Sequence, residues 1–294
     1  MRKEFAKTVE FLFKKNSKLI LLLGDIGVFS FRNLIKKFPQ KALNIGILEQ
    51  STISFAAGLA RQGFIPIVHT IAPFIVARAF EQLKVDFGYQ KLPGNFVSVG
   101  GSYDYAALGC THHSPEDVNL LKNIPGMQIA VPGNSSEFKK LFIKSYNNKF
   151  ATYYRLGSEE NLYTSKSSFG KADVIQKGNL ATVITIGPVL NFVMPFIKKY
   201  DVNLIYYTTI RPFDKKTLNK LTNKKNKILI IEPFYFGSII KEVIESNNKK
   251  ILIKNINIPD KFLDKYGNKK NHDKNLGFTS KNIEKNLIKF LKQE

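Results

Sequence analysis

The chain predicts an α/β protein of two domains, each a mainly parallel sheet flanked by helices. Short, wholly apolar runs such as 19–23 alternate with amphipathic stretches along its length. Strands buried on both faces of a parallel sheet read this way, and the alternation is that of strand–helix–strand units. The pattern is interrupted by the polar stretch 158–170, where Ser165, Lys166, Ser167 and Ser168 stand together. The 294 residues suffice for two cores of ordinary size. Domains are therefore expected at 1–160 and 171–294, with a linker at 161–170.

Residues 3–16 predict a helix, with Phe5, Val9, Leu12 and Phe13 on one stripe and lysines opposite. The run 18–23 predicts a buried strand ending in Gly24-Asp25-Ile26-Gly27. That turn falls at the carboxyl edge, where open α/β sheets bind ligands. A helix near 31–37, a strand near 42–44 and a helix over 51–62 follow, the last with Ala56, Ala57 and Gly58 permitting close packing. Strands are expected at 65–69, 95–99, 127–131 and 151–154, and helices at 74–85, 114–123 and 135–146. Ser114-Pro115-Glu116-Asp117 is the start signal of the second of these helices. The second half predicts strands at 181–186, 203–207, 227–231 and 250–254, and helices at 189–199, 214–221, 237–247 and 280–292.

The formal charge is +22, with 19 basic against 10 acidic residues in 1–150 and 26 against 13 in 151–294. Both halves share the excess. Lys14-Lys15-Asn16 and Asn223-Lys224-Lys225-Asn226-Lys227 spread it over helix faces and loops, which is a solvated surface rather than a nucleic-acid patch. A positive field of this kind still draws in anionic substrates. One cysteine, Cys110, excludes an internal disulfide framework and a cysteine-built metal site; it is expected to pack. No apolar run reaches membrane-spanning length and no secretory leader is evident, so a cytoplasmic protein is expected.

Chemistry concentrates around Asn44-Ile45-Gly46-Ile47-Leu48-Glu49-Gln50-Ser51, followed by Phe55-Ala56-Ala57-Gly58-Leu59-Ala60. Glu49 is an acid among apolar neighbours where an extended segment gives way to a helix. A carboxyl that loses hydration there rises in pKa and can share a proton with a ligand nitrogen. Alternatively, Glu49 caps a helix N-terminus.

Those segments, with Gly63-Phe64-Ile65-Pro66-Ile67-Val68, Ala77-Arg78-Ala79-Phe80-Glu81-Gln82, Gly109-Cys110-Thr111-His112-His113 and Ile258-Pro259-Asp260-Lys261-Phe262, run in order nearly end to end. Together they resemble the pyrimidine-binding and carboxyl-terminal domains of transketolases, enzymes dependent on thiamine diphosphate. The resemblance implies that Glu49 bonds a ring nitrogen of the cofactor's aminopyrimidine and that Phe74 stacks on that ring. It implies that Ile26, in the Asp25-Ile26 turn, props the cofactor in its bent shape. His112 is implied to exchange protons with substrate hydroxyls, and Arg155 and Arg2 to grip a substrate phosphate. Phe74 and Ile26 read equally as packing residues, and His113 as structural.

The chain also departs from the family pattern. Leu108 stands where an aspartate is usual, and Gly100-Gly101-Ser102-Tyr103 lacks the family histidine. Glu232-Pro233-Phe234 has phenylalanine where histidine is frequent, with Gly237 left of a glycine pair. The Gly-Asp-Gly…Asn signature that holds the diphosphate through Mg²⁺ is also missing from the sequence. The resemblance thus implies a separate diphosphate-binding subunit that carries Mg²⁺, most simply in an α2β2 assembly, with no metal site in this chain. The expected activity is transfer of a two-carbon ketol unit between sugars or sugar phosphates. The alternatives are a 1-deoxyxylulose-5-phosphate synthase-like enzyme, a 2-oxoacid dehydrogenase β chain, or a non-catalytic stabilising partner.

Overall fold

A computed structural model describes residues 1–166, 168–222, 226–247 and 249–293. Ser167 of the expected linker and residues 223–225 of the lysine–asparagine run lie outside the described residues. The first half runs α1 (Arg2–Phe13), β1 (Leu19–Leu23), α2 (Val28–Lys37), β2 (Ala42–Asn44), α3 (Glu49–Arg61) and β3 (Ile65–Ile71). Two π-helical segments, Phe74–Arg78 and Leu83–Tyr89, then flank α4 (Phe80–Gln82). β4 (Gly94–Val99), α5 (Asp117–Leu121), β5 (Gln128–Ala130), α6 (Ser135–Ser145) and β6 (Ala151–Leu156) complete it.

The second half opens with β7 (Asp173–Gln176), β8 (Thr182–Ile186), α7 (Leu190–Val193), β9 (Asn203–Tyr207) and β10 (Thr209–Arg211). It continues through α8 (Lys215–Thr222), β11 (Lys227–Tyr235), α9 (Ile240–Glu245), β12 (Leu252–Ile258), α10 (Lys269–Leu276) and α11 (Ser280–Leu291).

The first sheet has the order β10-β5-β6-β4-β3-β1-β2 and the second β12-β11-β8-β9-β7. Every pairing is parallel except those of the edge strands β10 and β7. Side chains of β1 alternate between two cores: Leu19, Leu21 and Leu23 pack on one face, Ile20 and Leu22 on the other. Burial on both faces removes the need for polar alternation, which is why the run is wholly apolar. The core containing Ile20 and Leu22 also takes in Ile184, Ile205 and Tyr207 from the second sheet. The two halves therefore share apolar packing.

Three elements lay beyond the sequence pattern. Strand β10 belongs by sequence to the second half, yet it pairs antiparallel with β5 of the first sheet. Both β7 and β10 are short edge strands, whose pairing partners lie far off in the chain. Helix α10 buries only His272 and Asp273, so it has no apolar stripe to announce it; Asn268 caps it and Gly277 ends it at φ 80°. The expected helix 189–199 shortens to α7 because Pro195 cannot continue it. The 114–123 helix begins only at Asp117, since Ser102 and Ser114 exchange backbone hydrogen bonds of 3.2 and 2.7 Å. Among the described residues no helix is long and apolar enough to cross a membrane.

His69 of β3 is buried, with Nδ1 2.7 Å from the Val97 carbonyl and its ring 4.8 Å from that of Phe5. Burial pushes its pKa down from 6.5 to about 4; the Val97 carbonyl opposes the shift and the charge of Arg2 adds to it. A histidine with a depressed folded pKa contributes fully above pH 6.5 and loses that contribution as pH falls toward 4. The loss amounts to roughly 3 kcal/mol. Urea titrations across this window should show stability falling toward acid, and His69→Phe should flatten that part of the slope.

Candidate active site

In the first sheet the chain passes from β1 to β2 on one side and to β3 on the other, so the strand order reverses between β1 and β3. Crevices at such reversals, at the carboxyl ends of the strands, are where open α/β sheets take ligands. The turn after β1 carries Asp25 and Ile26, the segment after β2 leads to Glu49, and the one after β3 leads to Phe74. The turn is rigidly built. Asp25 has φ 56°, its N–H donates to Asn44 Oδ1 at 3.0 Å, and Asn44 Nδ2 returns a bond to Asp25 Oδ1 at 3.1 Å. This ties the ends of β1 and β2 together. Asp25 is exposed, and Ile26 is half-buried against the core containing Leu23.

Glu49 is 4% exposed. It lies in the first turn of α3, but the helix has no side-chain cap, so the capping alternative is not what the carboxylate does. Oε2 accepts a 2.8 Å bond from Arg78 Nη1, and Oε1 is buried with no partner. A narrow hollow beside it is lined by Gly24, Thr52, Ile53, Val68, Thr70 and Ile75. A Cβ at Gly24 would meet Thr70 Cβ at 3.0 Å, so glycine keeps that wall open.

The expected surroundings of Glu49 need one correction. They are not purely apolar, because Arg78 reaches in from the π-helical turn after β3. Its guanidinium lies 4.1 Å from the centre of the Phe74 ring, and Phe74 meets His112 edge-on at 5.2 Å. His112 Nδ1 is 2.9 Å from Thr111 Oγ1, and its ring lies 6.4 Å from Tyr105. Glu49, Phe74 and His112, distant in sequence, thus form one connected group with Arg78 at its centre. No role for Arg78 was expected from the sequence. The signal was there: a guanidinium four residues after Phe74 in an otherwise apolar helical stretch. Removing it leaves a buried carboxylate unpaired, so Arg78→Ala should cost about 1–3 kcal/mol in urea unfolding. Glu49→Gln in the same chain should recover part of that loss, which a double-mutant cycle would measure.

Arg155 and Arg2 lie apart from this group. Arg155, in β6, is 4% exposed and donates to Asp117 Oδ2 at 2.6 Å and to Ser102 Oγ at 2.8 Å. The Asp117 carboxylate also accepts from Tyr153 Oη at 2.8 Å and from the Val118 N–H at 2.8 Å. Desolvation works against the Arg155 charge, but Asp117 outweighs it and holds the guanidinium pKa up. Phe234 lies beneath the same guanidinium at 4.8 Å and is fully buried. This gives Phe234 a packing role on the seam between the two halves. Arg2 is exposed on α1, Leu108 is exposed, and Cys110, expected to pack, is exposed as well.

The family model for the transketolase pyrimidine binding domain matches residues 1–162, and that for the transketolase C-terminal domain matches 170–283. The chain belongs to the transketolase family. This transketolase-family chain is 29% identical over 98% of its length to a 33.6 kDa protein of the fasciation locus of Rhodococcoides fascians, covering 93% of it. The B chain of the apulose-4-phosphate transketolase of Phocaeicola vulgatus is 27% identical, with 99% of this chain and 97% of that protein covered. A solved split-gene transketolase, an inactive beta4 tetramer, superposes with a TM-score of 0.84 at 23% identity, covering 99% of this chain and 97% of that one. At that identity it supports the fold.

Transketolase membership implies dependence on thiamine diphosphate. The group around Glu49 suits the pyrimidine end of that cofactor. A dry, unpartnered carboxylate oxygen can accept from or share a proton with a ring nitrogen, and the Phe74 ring is an aromatic wall beside it.

Proposed function

We propose that this chain is the C-terminal subunit of a split, thiamine-diphosphate-dependent transketolase-like enzyme. In this reading it moves a two-carbon ketol unit between sugar phosphates and works in the cytoplasm. A separate subunit holds the diphosphate through Mg²⁺ and completes the active site in an α2β2 assembly. The observation that carries the reading is Glu49 Oε1, buried and without a partner at the reversal of strand order. The two-chain arrangement is supported by the near-complete coverage of the Phocaeicola vulgatus relative, which is itself one chain of a divided transketolase.

Carbon–carbon bond cleavage, with its electron sink, is the chemistry of the cofactor when it is bound. The protein's part is positional and protonic. Glu49 Oε1 holds the proton at the pyrimidine nitrogen, while Arg78 fixes the other oxygen and so the aim of the first. Phe74 packs against the ring, with Ile26 as a second apolar contact. His112, braced by Thr111 and by the Phe74 edge, moves a proton to or from a substrate hydroxyl. The basic surface raises the local concentration of phosphorylated sugars.

The test is to co-purify the chain with a diphosphate-binding subunit, titrate thiamine diphosphate and Mg²⁺ by calorimetry, and assay ketol transfer. Cofactor binding and transfer that require both chains are the expected result. Cofactor-dependent transfer by either chain alone, or none by a stable pair, would overturn it.

A further inference from the structure

His112 and His113 are neighbours in the chain but face different places. His112 meets Phe74, whereas His113 meets His272 of α10, with ring centres 5.8 Å apart. His113 lines a second cavity, of about 470 Å³, between the two halves of the molecule. Tyr103 and Glu116 from the first half and Tyr235, Asp260 and Phe262 from the second are among its walls. Its size falls within the range of about 300–1,000 Å³ typical of small-molecule sites.

The polar groups there are left unfinished. His113 is 8% exposed, and neither of its ring nitrogens has a partner. His272 is 4% exposed and its Nε2 also lacks one. A buried polar atom without a partner is destabilising, so three such atoms beside one cavity call for a molecule that bonds them. Burial, with His272 and His112 nearby, holds the His113 pKa below its ordinary value, and burial raises that of Glu116. The cavity therefore presents a neutral imidazole, with one donor and one acceptor, opposite carboxyl groups and aromatic faces.

We infer that this cavity is a binding site for a neutral polyhydroxylated molecule of pentose size, an unphosphorylated sugar or sugar alcohol. A hydroxyl both donates and accepts, so adjacent hydroxyls satisfy an imidazole and a carboxyl together. The carbon-bound hydrogens of such a molecule pack on the rings of Tyr103, Tyr235 and Phe262. A phosphate is disfavoured, because Lys261 is the single cation among the described lining residues and Glu116 and Asp260 stand beside it. The site needs neither the cofactor nor a second chain, so it stands or falls independently of the proposed function.

The full chain alone, with imidazole nitrogens labelled with ¹⁵N, is titrated with xylitol, D-xylose and D-ribose 5-phosphate. Expected are saturable shifts of the His113 ring nitrogens with xylitol or xylose. His113→Phe should bind these probes at least about tenfold more weakly, the equivalent of one lost hydrogen bond. His113→Gln, which keeps a donor and an acceptor, should retain more of the affinity. Absence of a saturable shift in the wild-type chain overturns the inference without recourse to any variant. So does tighter binding of ribose 5-phosphate at His113, or undiminished binding by a folded His113→Phe chain.

Discussion

Glu49→Gln is expected to lower turnover of the reconstituted two-chain enzyme by about 100- to 10,000-fold, the range typical of a positioned acid–base group. Glutamine keeps the volume and leaves the hollow lined by Thr52, Ile53 and Val68 filled as before. It cannot share a proton with a ring nitrogen, and it gives up the charge that pairs with Arg78 at 2.8 Å. The loss should therefore appear in kcat at saturating cofactor, with the chain still folded and still assembling with its partner. Turnover within about threefold of wild type would exclude the role assigned to Glu49.

Arg155→Met should be the most damaging single change to stability, costing about 3–5 kcal/mol in urea unfolding. The side chains of Arg155 and Asp117 are 5% and 0% exposed, so removing the cation strands a carboxylate away from water. Tyr153 and the Val118 N–H still bond that carboxylate, but both are neutral donors and leave its charge uncompensated. Ser102 would lose a partner as well, and with it part of the seam, since Ser102 Oγ donates to the Pro233 carbonyl at 2.5 Å. A phosphate-gripping arginine behaves differently, raising KM for phosphorylated sugars while unfolding stays where it was. Measuring both quantities on one variant separates the two roles.

Much of the site is legible without the fold. Glu49 stands out because an acid in an apolar segment at a strand–helix junction has few uses. His112 and Phe74 are found through a motif whose order along the chain is specific. Arg155 illustrates the opposite case. Its place at the end of an apolar strand gives it a ligand-facing reading, yet its charge is engaged by Asp117, and no local pattern links positions 117 and 155. Phe234 is similar. The sequence shows a departure from the family pattern, and the packing beneath Arg155 supplies its physical account.

The residues themselves determined which segments are strands, that those strands are buried on both faces, and the family to which the chain belongs. These follow from hydrophobic periodicity and motif order, which are local or linear properties. Only the tertiary structure decided that β10 crosses over to the first sheet, that Arg78 holds one oxygen of Glu49 and leaves the other free, and that His113 turns away from His112 toward the second half. Each of these depends on contacts between groups brought together by packing, and partner choice at such distances is not encoded in any short stretch of the chain.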